Sequence, residues 1–257
     1  AVFGKKRGSV LLIGAGPGDV ELLTLKAVRA LGRADIVLLD DLVNPAIRQF
    51  CRDDVRIIPV GKRGGCRSTP QDFINRLMRR YARQGLTVAR VKGGDPCMFG
   101  RAGEEKAFLE SYGVPVEIIN GLTAGLVAAT SIGVPLTDRR HARGVTFVTG
   151  HTKEGGTPDW RALVAGGTTL VIYMGMKQMP VIVAGLLAAG MRADMPVAVI
   201  ANASLPHQAQ VVTTLARVQH DARSEALASP AVIVVGEVVS EAAVMPLAGM
   251  VSSGLDM

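Results

Sequence analysis

The stretch Val10-Leu11-Leu12-Ile13-Gly14-Ala15-Gly16-Pro17-Gly18-Asp19 decides the fold class. Four apolar residues, a strand's worth, run into three glycines, and residues 22–31 then carry apolar side chains at helical spacing. Strand, glycine turn and helix in that order open a parallel α/β unit. A dinucleotide fingerprint would place a third glycine at position 19, where this chain has Asp19. Pro17 also removes a backbone donor that a pyrophosphate cradle would use. The turn therefore reads either as purely structural or as one that a ligand without phosphate approaches closely.

Outward from this stretch the alternation continues. Apolar runs predict strands at 36–39, 56–60, 87–91 and 116–119. Helical spacing predicts helices at 45–50, 70–83, 102–111 and 123–132, with Pro70 in a first turn after Ser68 and Thr69 as caps. A loop rich in Gly, Pro and charge spans 133–144, and the pattern restarts. Strands are expected at 145–148, 168–173, 196–200, 210–214 and 231–235, and helices at 178–188 and 215–227. The run at 210–214 follows its predecessor with no room for a helix, so a hairpin is expected there. The fold class is α/β, in two domains joined near 136–143: residues 1–139 with a mostly parallel sheet and 140–257 with a mixed sheet.

Composition narrows the function. With 257 residues and 48% hydrophobic content, the chain is long enough and apolar enough for large cores. No apolar run approaches the roughly 20 residues of a membrane helix, and no signal-peptide core follows Lys5, Lys6 and Arg7. A cytoplasmic protein with no membrane partner is expected. Cys51, Cys66 and Cys97 are odd in number and lack C-x-x-C spacing, which argues against a disulfide framework or a metal site. The net charge of +7 suits an acidic partner or a generally solvated basic surface. Aromatics are only 4%, so the stacking platform of a single-strand binder is missing and no nucleic acid is expected.

Three further loops leave predicted strands. Gly93-Gly94-Asp95-Pro96-Cys97-Met98-Phe99-Gly100-Arg101 offers close backbone approach at Gly93 and Gly94, and an acceptor for ribose hydroxyls at Asp95. Arg101 and Glu104 lie three apart at a helix start, hence on one face. Gly121-Leu122-Thr123-Ala124-Gly125 opens a helix whose free N–H groups either bind polar ligand atoms or are capped by Thr123. Tyr173-Met174-Gly175-Met176 brings soft methionines that can wall a flat ligand or fill a core.

Taken together, Gly14–Asp19 with Glu21-Leu22-Leu23-Thr24, Gly93-Gly94-Asp95-Pro96 with Phe99-Gly100-Arg101, Gly133-Val134-Pro135-Leu136-Thr137 and Val145-Thr146-Phe147-Val148-Thr149-Gly150-His151 resemble the tetrapyrrole methyltransferase family. The resemblance spans residues 8–239. It implies two α/β domains with a cofactor cleft between them, S-adenosyl-L-methionine as methyl donor (S-adenosyl-L-homocysteine as product) and a homodimer. It also implies two successive methylations of an anionic tetrapyrrole, uroporphyrinogen III, giving precorrin-2 for sirohaem, cobalamin or haem d1. Carried over by position, Pro17, Gly93, Gly94, Asp95, Met98, Thr123, Ala124, Met174, Ala203 and Ala231 match cofactor contacts. Asp40 and Lys62 match positions with acid–base roles, and Arg101 and Glu104 match positions of substrate binding and proton removal. Arg139, His151 and Met176 match substrate contacts. The chain departs from the family pattern at Cys97, Ala102, Asp138, His141 and Ala201-Asn202-Ala203-Ser204.

The chemistry agrees with that expectation. Alkylating a pyrrole carbon leaves a cation that must lose a proton, so one base is useful and no metal is needed. Arginine stays protonated, so Arg101 is expected to be a carboxylate clamp oriented by Glu104. Among the positions that the resemblance marks for acid–base roles, Asp40 is the expected proton acceptor. Two alternatives stand beside this reading. One is a methyltransferase of a later (cobalt-)precorrin; the other is a non-catalytic basic nucleic-acid-binding module, which would bind with a steep salt dependence.

Overall fold

The computed structural model describes residues 6–61, 69–150 and 156–243. One five-stranded sheet contains β1 (Ser9–Gly14), β2 (Ile36–Leu39), β3 (Arg56–Pro59), β4 (Thr87–Lys92) and β5 (Val116–Ile119). Its order is β3-β2-β4-β1-β5, and every pairing within it is parallel. Parallel neighbours need crossovers, supplied by α1 (Leu25–Arg33), α2 (Gln71–Arg83) and α3 (Ala102–Ser111). Side-chain alternation sorts the two faces. Leu11, Ile13, Val37, Ala89 and Val91 bury against Ala27, Ala30 and Leu31 of α1. Val10, Leu12, Ile36, Leu38 and Val88 bury against Ile74 and Met78 of α2 and Leu109 of α3.

Helix starts differ from expectation where a shorter-range bond competes. The expected helix at 22–31 gives way to a 3₁₀ turn at Val20–Leu22, and α1 begins only after Thr24, whose Oγ1 accepts from the Ala27 N–H at 3.0 Å. The segment Pro45–Phe50 is also 3₁₀. At α2 the cap position belongs to Pro70, with no side-chain bond to the helix, while the Thr69 hydroxyl donates to the Gly61 carbonyl at 3.4 Å. Ser68, the other expected cap, lies outside the described residues.

The second sheet holds β6 (Val145–Thr149), β7 (Thr169–Tyr173), β8 (Pro196–Ala201), β9 (Ala209–Thr214) and β10 (Ala231–Val235) in the order β6-β7-β10-β8-β9. Strands β6 and β7 are parallel, the other pairings antiparallel, and β8–β9 is the hairpin expected at 210–214. One face is covered by α4 (Ala124–Ser131), the other by α5 (Trp160–Gly166), α6 (Met179–Ala188) and α7 (Val218–Ser224).

Three further elements differ from what the sequence reading leads one to expect. Helix α4 precedes residue 139, yet Ala128 and Ala129 are buried with Val171, Ile200 and Val234 of the second sheet. β5 is the last strand of the first sheet, so α4 serves no crossover there and is free to dock elsewhere. The short α5 had no sequence signal, because seven residues span less than two amphipathic repeats. Its cap Asp159 accepts from the Ala162 N–H at 3.0 Å, and Trp160 packs where a Cβ on Gly185 would fall, 2.2 Å from the indole. The helix expected at 215–227 shrinks to α7. The N–H groups of Leu215 and Ala216 are spent on the carbonyls of Met195 and Ala193, each at 2.9 Å.

Candidate functional site

Because β1, β4 and β5 are parallel neighbours, the loops leaving their carboxyl ends emerge side by side, where ligands of open α/β sheets bind. The Gly94 N–H donates to the Gly16 carbonyl at 2.7 Å, and the Gly16 N–H donates back to the Gly94 carbonyl at 3.1 Å. A Cβ on Gly14 would lie 2.7 Å from the Gly94 oxygen, and one on Gly121 would lie 2.2 Å from that same oxygen. Three backbones therefore meet with no room for a side chain. Asp95 ties them: Oδ2 accepts from Asn120 Nδ2 at 3.0 Å and from the Gly121 N–H at 3.1 Å, while Oδ1 accepts from the Cys97 N–H at 2.8 Å. A carboxylate has about four acceptor positions, so one is left for a ligand. Met98, half-buried, closes the turn by donating its N–H to the Asp95 carbonyl at 3.2 Å.

The second sheet supplies the facing wall. Tyr173, at the end of β7, places its hydroxyl 2.5 Å from Thr123 Oγ1 and accepts from the Gly125 N–H at 2.8 Å. The start of α4 is thus held by a phenol from the other sheet, not capped by Thr123 itself. Burial pushes the Tyr173 pKa up, overcoming the opposing pull of these two hydrogen bonds, so the group is neutral at ordinary pH. Its ring packs 5.0 Å from that of Phe99. Met174 follows at φ 53° and is half exposed. Val232 pairs with Tyr173 and Ala231 with Ala201, so Ala231 stands at the same sheet end. Ala203 is buried in the turn after β8; the neighbouring Ser204 Oγ accepts from the Asp19 N–H at 3.0 Å, and Leu205 lies against Gly18. Pro17 sits half-buried between these contacts and the Gly14–Gly16 turn. Among the described residues, Phe99, Arg101, Met174, Asn202 and Ser204 have positive φ in these loops, a backbone cost of the kind that clusters at functional sites.

The charged candidates are distributed as follows. Arg101 begins α3 at φ 58° and pairs with Glu104 at 2.8 Å, both exposed. Asp40, at the end of β2, accepts from Arg90 Nη1 at 2.8 Å. Leu42, two residues on, lies against Gly93. Arg139 is exposed in the turn Asp138–Ala142, where its neighbour Arg140 takes the acidic partners Asp138 and Glu241. Met176 is half-buried and packs on the α6 side of the second core. Lys62 and His151 lie outside the described residues. Sequence reasoning missed Tyr173 as a bridge, Ser204, and the buried charges Arg90, Lys92 and Glu105. The last had a signal: cations at alternate positions of a strand otherwise as apolar as a buried parallel strand must be.

At these strand ends, loops of tightly packed glycine backbone from the first sheet meet tyrosine, methionine and alanine from the second. The family model of the tetrapyrrole (corrin/porphyrin) methylases matches residues 9–219, and the chain belongs to that family. It is 56% identical over 240 residues to the uroporphyrinogen-III C-methyltransferase of Pseudomonas aeruginosa, covering 93% of this chain and 98% of that protein. The crystal structure of uroporphyrin-III C-methyl transferase from Thermus thermophilus complexed with S-adenosylhomocysteine superposes with a TM-score of 0.77 at 40% identity, covering 90% of this chain and 99% of that one. A cobalt precorrin-4 methyltransferase superposes with a TM-score of 0.80 but at 26% identity, covering 90% and 95%.

Proposed function

We propose that this chain transfers methyl groups from S-adenosylmethionine to two ring carbons of uroporphyrinogen III, giving precorrin-2. The observation that carries this reading is the 56% identity to a uroporphyrinogen-III C-methyltransferase across both sheets, against 26% for a methyltransferase of a later corrin precursor. The residues present fit the donor. Gly93 and Gly94 offer bare backbone, Asp95 keeps an acceptor position for a ribose hydroxyl, and Thr123 and Ala124 frame a helix start. Pro17, Met98, Met174, Ala203 and Ala231 supply apolar walls. The donor brings an already activated sulfonium methyl; the chain's task is to align the carbon nucleophile with it.

Arg101, steadied by Glu104, clamps a substrate carboxylate, and Arg139, His151 and Met176 complete the substrate side. Asp40 accepts the proton released after alkylation, and Lys62 has an acid–base role of its own in this reading. The net charge of +7 answers several substrate carboxylates. A homodimer is part of the proposal: sedimentation should show twice the 27.0 kDa chain mass. The deciding experiment is incubation with uroporphyrinogen III and S-adenosylmethionine under exclusion of oxygen. A dimethylated product is expected; turnover of a later precorrin alone would overturn the substrate assignment.

A further inference from the structure

Arg90 and Lys92 stand two apart on β4, the middle strand of the first sheet, and so share one face. Arg90 lies level with Leu12 on β1 and Leu38 on β2, both buried. Facing the two cations from α3 is Glu105, whose side chain is 0% exposed; those of Arg90 and Lys92 are 3% and 6% exposed. Arg90 Nε donates to Glu105 Oε2 at 2.9 Å, Arg90 Nη1 donates to Asp40 Oδ1 at 2.8 Å, and Lys92 Nζ donates to Glu105 Oε1. The four groups form one line of alternating charge, Lys92–Glu105–Arg90–Asp40, which sums to zero. Only the Asp40 end opens outward, at 29% side-chain exposure.

A fold does not need this arrangement for stability. Desolvating such ions offsets much of their attraction, and apolar side chains of similar volume are often as stable or more so. The surrounding face is already built from Val10, Leu12, Ile36 and Leu38. What the cluster supplies is geometry. A guanidinium donates in a rigid planar fork, so two of its nitrogens fix the Asp40 carboxylate relative to Glu105. Glu105 in turn sits one helical turn beyond Arg101, to whose carbonyl its N–H donates at 3.2 Å. The same helix thus carries Arg101 and Glu104 outward and Glu105 inward. Burial lowers the Arg90 pKa, but Asp40 and Glu105 more than reverse this, so Arg90 remains a cation throughout and passes no proton.

We infer that Arg90, held by Glu105 with Lys92 as its charge balance, is a positioning residue that sets Asp40 at a fixed place relative to the Arg101 clamp. This rests on the reading of Asp40 as proton acceptor. The test is Arg90→Lys, which keeps the buried charge but cannot reach both carboxylates, in the wild-type and Asp40→Asn backgrounds. A misplacement of this kind should lower kcat roughly 10- to 100-fold. KM for S-adenosylmethionine and for uroporphyrinogen III should stay within about twofold, because the Arg90 side chain is only 3% exposed. In the Asp40→Asn background Arg90→Lys should cause no further loss.

Full turnover by Asp40→Asn would remove both the proton-acceptor reading and this inference. Loss in Asp40→Asn with full turnover in Arg90→Lys would remove the inference alone, as would losses that multiply in the double variant. If Arg90→Lys does not fold by circular dichroism, the charge-balanced pair Arg90→Met with Glu105→Gln takes its place in the same comparison.

Discussion

Tyr173 and Thr123 are joined hydroxyl to hydroxyl at 2.5 Å, linking the end of β7 in the second sheet to the helix start that follows the last strand of the first. The same phenol accepts from the Gly125 N–H, which is buried. Tyr173→Phe keeps the ring packing on Phe99 and removes both bonds. It should cost about 1–3 kcal/mol of stability by leaving a buried N–H unpaired, and it should weaken S-adenosylhomocysteine binding in calorimetry. A pH signature goes with it. The folded Tyr173 pKa is raised above its ordinary value of 10.0, so the neutral phenol stabilises the fold fully below pH 10. That contribution is lost as pH climbs through the folded pKa. Denaturant titrations above pH 10 should show a steeper fall for the wild type than for Tyr173→Phe; parallel curves would contradict the assignment.

The glycine junction predicts opposite effects for two superficially similar substitutions. Gly121→Ala would put a Cβ 2.2 Å from the Gly94 oxygen, a backbone atom that cannot swing aside. Overpacking there should destabilise by roughly 1–3 kcal/mol and displace the Gly93–Asp95 loop. Gly103→Ala, on α3, meets nothing within 4 Å. It should stabilise by about 0.4–1 kcal/mol through the unfolded chain. Thermal unfolding of the two variants is enough to separate them.

Asp221 gives an acid-side prediction. Its carboxylate accepts from Thr213 Oγ1 at 2.5 Å, and with His220 and Arg217 this holds its pKa at about 2, below the ordinary 3.8. A depressed carboxylate contributes stability that is present above pH 3.8 and lost as pH falls through about 2. Asp221→Asn should therefore lower stability at neutral pH and flatten the curve between those values, measured by urea unfolding across that range.

The sequence exposed what depends on local pattern. The edge strand expected at 116–119 coincides with β5, whose Glu117 interrupts an otherwise apolar run. The strands expected at 36–39 and 231–235 coincide with β2 and β10, because buried strands inside a sheet are short uninterrupted apolar runs bounded by polar or glycine residues. The glycine loops were visible for the same reason. What stayed hidden depends on pairing across distance. Nothing local says that Tyr173 holds Thr123, fifty residues earlier, or that Arg90 meets Asp40 at the same separation. The docking of helix α4 on the second sheet is hidden for the same reason, since its sequence gives chain order and not packing partners.

Arg101 separates clamping from chemistry. It starts α3 in a left-handed conformation and is exposed, with Glu104 as its partner at 2.8 Å, so its fork is presented outward and not sunk in the core. Arg101→Lys keeps the charge but loses planar bidentate recognition of a carboxylate. KM for uroporphyrinogen III should rise roughly tenfold, about 1.4 kcal/mol of lost substrate binding. Stability should be unchanged within about 0.5 kcal/mol, because an exposed ion pair contributes little. S-adenosylhomocysteine affinity should also be unchanged, since the proposed cofactor contacts lie at Gly93–Asp95 and Thr123–Ala124. A fall in kcat with KM unmoved would instead assign Arg101 to the transition state, and steady-state kinetics with both substrates varied distinguishes the two.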